Sequence, residues 1–347
     1  MPKVTIDDIA KQAGVSKTSV SFAFNYPERL SAATLKHIRQ IANELGYTPD
    51  PLASNLKTGR TGCIGLLVPQ PIPIMACNPH TFELIEGIGL ACHEAGVSLM
   101  LVPPLKGNLR HAVSRAAVDG FLTMGLEPFD ETLTVLHQRH VPFVMIDSDP
   151  APGLTCVNID DRTGAYAAMS YVLNHGHRRI LLLGILSPHD GNFEAYTGSL
   201  KRRITGYQQA LAEAGLDFDG DQVRFMECEV DSDAGYHAFE TVWEEGGRPT
   251  AVVTMADVLA LGVMRAARNL GLTVPDQLSL VGYDDIEAGR LVQPPLTTVH
   301  QPTVEKGRVA ADLLIDLINE KPLEPEQVVL PVEMVLRQSC RTVMDAD

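Results

Sequence analysis

Along the first 48 positions, apolar residues recur at the spacing of a helix face. Ile6, Ile9, Ala10 and Ala13 fall at i, i+3, i+4 and i+7, with Thr5 and Asp8 placed as a capping-box-like start and Gly14 as the stop. Ser16 opens a second helix that turns Val20, Ala23 and Phe24 inward and leaves Lys17, Thr18, Ser21 and Phe22 outside. Ser31 caps a third, which carries Leu35, Ile38, Ile41, Ala42 and Leu45 and ends at Gly46. Two short helices joined by a tight turn and closed by a third predict a helix-turn-helix, whose second helix fits the major groove of DNA. So small a unit is close to the lower limit for folding alone, and a partner or DNA is expected to support it.

From about residue 62 the pattern changes to short apolar runs alternating with amphipathic helices. Residues 64–68, 98–102, 120–123, 143–146, 180–183, 251–254 and 278–282 read as buried parallel strands, and 82–95, 163–174, 201–214 and 258–270 as helices between them. Repeated units of this length predict doubly wound α/β sheets, and some 285 residues exceed one such core. The expected fold class is therefore α/β: a small all-α helix-turn-helix head (1–48), a hinge or linker (49–61) and a two-lobed doubly wound body (62–347).

Charge supports the division. Residues 1–60 hold 8 Lys+Arg against 5 Asp+Glu, leaving 20 against 38 for the rest of the 347-residue chain. A basic head on an acidic body fits nucleic-acid binding through the head alone. The 45% hydrophobic content is ample for sizeable cores. There is no N-terminal apolar run with a charged flank and no stretch able to span a bilayer, so a cytoplasmic protein is expected. The six cysteines are scattered, with no C-x-x-C pair and no Cys/His metal spacing, so no metal or disulfide is assigned. The chain lacks G-x-G-x-x-G, G-x-x-x-x-G-K-[ST] and H-E-x-x-H, so neither a cofactor nor catalytic residues are expected and the chain does not read as an enzyme.

In open α/β sheets, ligands bind beyond the carboxyl ends of strands. Asp147 follows the run FVMI, Asp284 ends LSLVGY, Asp257 follows VVTMA, and Arg203 starts a helix one turn before Gly206. Carboxylates and an arginine fork are what orients a polyol. Each Asp could equally cap the helix that follows it, and Asp257 reads mainly that way.

The stretch VTIDDIAKQAGVSKTSVSFAFN resembles the N-terminal signature of the LacI/GalR family of transcriptional regulators. GYTPDPLASNLKTGRTGCIGLLVP is similar to that family's hinge and first strand, and DGFLTMG, VPFVMIDSD, NIDDRTGAY, HGHRRILLLG, RRITGYQQAL, LSLVGYDDIE and PPLTTVHQP follow in family order over nearly the full length. The resemblance implies a periplasmic-binding-protein-like effector body. Its first lobe would take about 62–160 and 302–325, and its second about 162–300 and 329–342, with crossovers near 160–162, 300–302 and 325–329. It also implies a homodimer on pseudo-palindromic operator DNA, with affinity controlled by a small-molecule effector, possibly a sugar. Without a leucine heptad tail, a dimer is expected rather than a tail-assembled tetramer.

The resemblance places Lys17, Thr18 and Phe22 at the positions that set operator choice. Phe22 replaces a frequent arginine and offers apolar contact, for instance with a thymine methyl. Thr5, Ser16, Ser21, Asn25, Ser31 and Thr34 suit phosphate contact. In the hinge, Ala53, Leu56 and Lys57 complete the DNA-binding set, with Leu56 matching a leucine that wedges into the minor groove and Lys57 placed to meet phosphate.

The candidate effector set is Ile74, Asp147, Phe193, Arg203, Asp257 and Asp284, of which Asp147, Arg203 and Asp284 match effector-contacting positions of the family. The chain departs from the family at Ala256, where an asparagine is common, at Val230, often aromatic, and at Asn78-Pro79-His80-Thr81, where two phenylalanines often follow Asn-Pro. An effector gripped by aromatic stacking is disfavoured, with Phe193 or Tyr196 left as a replacement ring. The expected function is an effector-controlled transcriptional repressor. The alternative is a cytoplasmic solute-binding sensor without operator binding.

Overall fold

The computed structural model describes residues 4–48, 59–187, 192–218, 220–323 and 326–343, and the chain divides into two compact units at Gly62/Cys63.

In the first unit, α1 (Ile6–Ala13), α2 (Lys17–Asn25) and α3 (Ala32–Glu44) enclose Ile9, Ala10, Ala13, Val20, Ala23, Ile38, Ile41 and Ala42. Phe24, Leu35 and Leu45 pack on the edge of this cluster. The caps are local. Ser16 Oγ accepts from the Ser19 amide at 3.0 Å, and Ser31 Oγ from the Thr34 amide at 3.2 Å. At α1 the arrangement is reversed, because Asp8 Oδ2 accepts both the amide and the hydroxyl of Thr5, at 2.9 and 2.7 Å.

The second unit holds two six-stranded sheets. β1 (Cys63–Leu67), β2 (Ser98–Val102), β3 (Gly120–Met124), β4 (Phe143–Ile146), β5 (Cys156–Ile159) and β11 (Gln327–Leu330) form the first, in the order β11-β5-β4-β3-β1-β2, all parallel. β6 (Ile180–Ile185), β7 (Val223–Cys228), β8 (Ala251–Thr254), β9 (Ser279–Asp284), β10 (Thr297–His300) and β12 (Glu333–Val335) form the second, in the order β12-β10-β9-β8-β6-β7, with β12 antiparallel. Helices cover the faces of both sheets, as parallel sheets require.

Close helix packing depends on glycine. The helix Pro79–Ala95 lies against Thr303–Ile318, and a Cβ on Gly87 would stand 1.9 Å from Val304 O, while one on Gly307 would stand 2.3 Å from Leu84 O. Any larger residue at either place would force the pair apart.

The chain leaves the first sheet after Ile159, returns to it after His300, and crosses again at Pro331–Val332. This last crossover corrects the expected boundary at 325–329. Leu330 pairs with Ile159, so the whole of β11 belongs to the first sheet and the second lobe resumes only at β12. No apolar run marks a strand there. β5, β7, β10, β11 and β12 all escape the apolar-run criterion because polar residues such as Asn158, Arg224, Thr297, Gln327 and Glu333 interrupt them. Three of them, β7, β11 and β12, are sheet edges, where one side meets solvent.

Candidate functional site

The head presents α2 with Lys17 and Thr18 exposed on its first turn and Phe22 half-buried beyond its core. Lys17 Nζ lies 2.6 Å from Asp7 Oδ2, both side chains largely exposed, an ion pair of little energetic weight. Of the six residues expected on phosphate, Ser16 and Ser31 are caps, and Thr34 Oγ1 and Ser31 Oγ are 2.8 Å apart. Asn25 Nδ2 donates to Ser21 O at 3.0 Å, and Thr5 is engaged with Asp8. Most of this polar rim therefore holds helix ends in the protein alone. Ala53, Leu56 and Lys57 lie outside the described residues.

In the second unit, the carboxyl ends of β1, β3, β4, β6, β8 and β9 converge on a cavity of about 180 Å³. Asp147, Arg203, Asp284, Ile74 and Gln301 line it, together with His80, Ser199, Val230, Met255 and Ala256. Four of the six candidate effector residues are thus brought together. The three departures from the family pattern (His80, Val230 and Ala256) also sit on its wall.

Both aspartates at strand ends occupy unusual backbone conformations, φ 58° at Asp147 and φ 129° at Asp284. Positive φ in a non-glycine residue is costly and concentrates where side chains must be aimed. Asp147 is anchored by Lys306, whose Nζ stands 2.9 Å from both carboxylate oxygens. Burial alone would raise the Asp147 carboxyl, but Lys306 outweighs it and holds the group below the usual range. Lys306 also donates to Gln301 Oε1 at 3.2 Å, and Gln301 Nε2 donates to Asp284 Oδ1. One polar chain thus runs Asp147–Lys306–Gln301–Asp284, from the first sheet across the His300–Thr303 crossover to the second. Burial, with Asp257 alongside, pushes the Asp284 carboxyl well up.

Arg203 lies inside the helix Gly198–Glu213, not at its start. Its Nε is 2.8 Å from Asp161 Oδ1, Nη1 donates to Met255 O at 2.7 Å, and the guanidinium carbon sits 3.8 Å from the Tyr283 ring centroid. Burial works against its charge, but Tyr283, Asp161 and Asp284 hold the group protonated. His80 is different. Burial, reinforced by Lys306, pushes its imidazole down to about 3, and its Nε2 is buried with no hydrogen-bond partner among the described residues.

Two candidates are corrected. Asp257 is fully buried, accepting from Thr298 Oγ1 at 2.6 Å and from the Ile286 amide at 3.0 Å, so its carboxylate braces β10 and the loop after β9 and does not line the cavity. Phe193 packs edge-on against Phe218 and Phe225 at 5.0 and 5.2 Å, in the second-lobe core. Tyr196, the other replacement ring, donates to Glu227 at 2.6 Å. Neither ring reaches the cavity wall.

Sequence reasoning missed Lys306, Gln301 and Asp161. Lys306 had a legible signal: it lies on the buried stripe of its helix with Thr303, Gly307, Ala310, Ala311 and Leu314, where a lysine has no place without a partner. Gln301 and Asp161 carried none.

At the mouth, Thr197 Oγ1 donates to Glu127 at 2.7 Å, and the Gly198 amide and Arg202 reach Asp149 at 3.0 and 3.1 Å. These bonds join the second lobe to the first.

A helix-turn-helix head followed by two doubly wound lobes enclosing a polar cavity defines a DNA-binding regulator with a small-molecule receptor as its body. Residues 5–50 match the profile of the bacterial regulatory proteins of the lacI family, and residues 169–340 match the periplasmic binding protein-like domain. The chain is 35% identical to an HTH-type transcriptional repressor PurR of Pasteurella multocida (strain Pm70), covering 97% of this chain and 99% of that protein. Among solved structures, it resembles the lac repressor dimer bound to operator and the anti-inducer ONPF (25% identity, TM-score 0.81, 98% and 99% coverage). It also resembles the transcriptional regulator CelR–cellobiose complex (28% identity, TM-score 0.69, 97% and 100% coverage). The chain belongs to the LacI family of bacterial transcriptional regulators.

Proposed function

We propose that this regulator is a repressor acting in the cytoplasm as a homodimer, without enzymatic activity, on pseudo-palindromic operators, and that a small uncharged polyol of monosaccharide size controls its grip. The cavity carries the reading. Its volume of about 180 Å³ suits a compact ligand. Each cation on or behind its wall already faces a carboxylate, Lys306 with Asp147 and Arg203 with Asp161, so a phosphate ester would find no unspent charge. Among the described residues no Phe, Tyr or Trp lines it, which disfavours a nucleobase that needs a stacking face. What remains is a ring of donors and acceptors, among them Asp147, Asp284 and the unpartnered His80 Nε2, which suits hydroxyl groups.

In the head, Lys17, Thr18 and Phe22 read bases while Thr5, Ser16, Ser21, Asn25, Ser31 and Thr34 contact phosphates. Ala53, Leu56 and Lys57 form the minor-groove part of the interface. Ligand closing the lobes changes the spacing of the paired heads, and the coupling is reciprocal. Fluorescence anisotropy on selected operator duplexes, with aldoses, alditols, their phosphate esters and nucleosides added in turn, tests this. A neutral polyol that shifts operator affinity in the wild type but not in Arg203→Ala, which still binds operator, is the expected result. A response confined to phosphate esters or nucleosides would refute the assigned ligand class.

A further inference from the structure

Phe22 stands on the solvent-facing side of α2, and two residues beyond the helix hold its ring in place. Tyr26 meets it edge-on, with centroids 6.1 Å apart and planes at 86°. Arg29, in the short turn Pro27–Arg29, lays its guanidinium over both rings, 5.4 Å from the Phe22 centroid and 5.0 Å from that of Tyr26. Among the described residues no carboxylate pairs with Arg29, so the two rings are what fix it, and its N–H edges stay available.

A phenylalanine on a base-reading helix has no hydrogen bond to give. The apolar group that a base pair shows in the major groove is the thymine 5-methyl. A ring can discriminate by so small a contact only if its rotamer is held before DNA arrives. The guanidinium does that by cation–π contact with both rings, which its broad, weakly hydrated plane sustains better than a compact, strongly hydrated ammonium.

We propose that Phe22, Tyr26 and Arg29 form one base-reading unit. Arg29 is its positioning residue: it fixes the Phe22 ring against a thymine methyl in each half-site while its outer N–H edge meets the neighbouring phosphate. The inference rests on Phe22 facing the groove. It extends operator choice to a residue outside the recognition helix.

The test uses the full-length protein. Selected-site enrichment locates the thymine, and anisotropy then compares duplexes carrying thymine or uracil at that position, which differ by the methyl alone. Wild type should lose about fourfold in affinity with uracil, the burial of one methyl. Arg29→Lys should bring the thymine-to-uracil ratio close to one while leaving the salt dependence unchanged. Arg29→Ala should lose the ratio and also lower the salt slope by about one. Circular dichroism checks the fold of each variant, and the exposed position makes its loss unexpected. Absence of a selected thymine, a wild-type ratio of one, or a full ratio retained in Arg29→Lys would each overturn the unit.

Discussion

Lys306 places its Nζ 2.9 Å from both oxygens of Asp147, and its side chain is 1% exposed. An ammonium at the core position of a helix is tolerable only because that carboxylate and Gln301 receive it. Lys306→Met should therefore destabilise the body by about 3–5 kcal/mol, because it strands Asp147 with its charge unmet. Adding Asp147→Asn to Lys306→Met should restore most of the loss. Urea denaturation of the four proteins of the cycle measures this, and strictly additive effects would disprove the coupling.

Asp257 and Gly282 form a second such pair. A Cβ on Gly282 would stand 2.0 Å from Asp257 Oδ1, so the carboxylate occupies space that only glycine leaves. Asp257→Ala strips the acceptor from the Thr298 hydroxyl and the Ile286 amide, both buried, and should cost about 1–3 kcal/mol for each donor left unmet. Because the carboxylate braces the loop and does not face the cavity, Asp257→Asn should keep polyol affinity within about twofold where folded. Calorimetric titration decides the point: a loss comparable to that of Arg203→Ala would return Asp257 to the binding surface.

Glu83 supplies a pH dependence. Its half-buried carboxyl is pushed up to about 7 by burial and by Asp257 and Asp285, with Arg290 opposing and Glu86 adding to the effect. Between its ordinary value of 4.5 and about 7, the folded protein binds this proton more tightly than the unfolded chain. Its contribution to stability is thus full at the acid end and is lost as pH rises through that window. Glu83→Gln should flatten this part of the profile and make the body more stable than wild type above pH 7. Denaturation midpoints from pH 5 to 8 check it, and identical slopes for the two proteins would exclude Glu83 as the source.

Leu56 carries a prediction from sequence alone. Leu56→Ala should weaken binding to a selected operator by at least tenfold while leaving affinity for random duplex nearly unchanged, because wedging acts only where the central step is presented. Equal losses on both duplexes would remove the wedge role.

Much of the fold was legible because it follows from local periodicity. The stripe Ile6, Ile9, Ala10, Ala13 and the caps Ser16 and Ser31 fix the head within its first 45 positions, and uninterrupted runs such as FVMI and AVVT mark central strands. β11 and β12 were not legible, since an edge strand needs apolar residues on one side only. Phe193 misled for a related reason: exposed-loop composition around it hid that Phe218 and Phe225 lie within reach of its ring.

Local pattern settles which residues stand at strand ends, because strand and helix periods are properties of a dozen neighbouring positions. It therefore puts Asp147, Asp257 and Asp284 at the carboxyl edges of their strands. Tertiary structure alone decided which way each carboxylate turned: Asp147 toward Lys306, 159 positions away, and Asp257 toward Thr298, 41 positions away. A side chain's direction in a buried, charged place is set by the partner that offsets its lost hydration. Such partners are brought together by the crossing of distant segments, which no local pattern records.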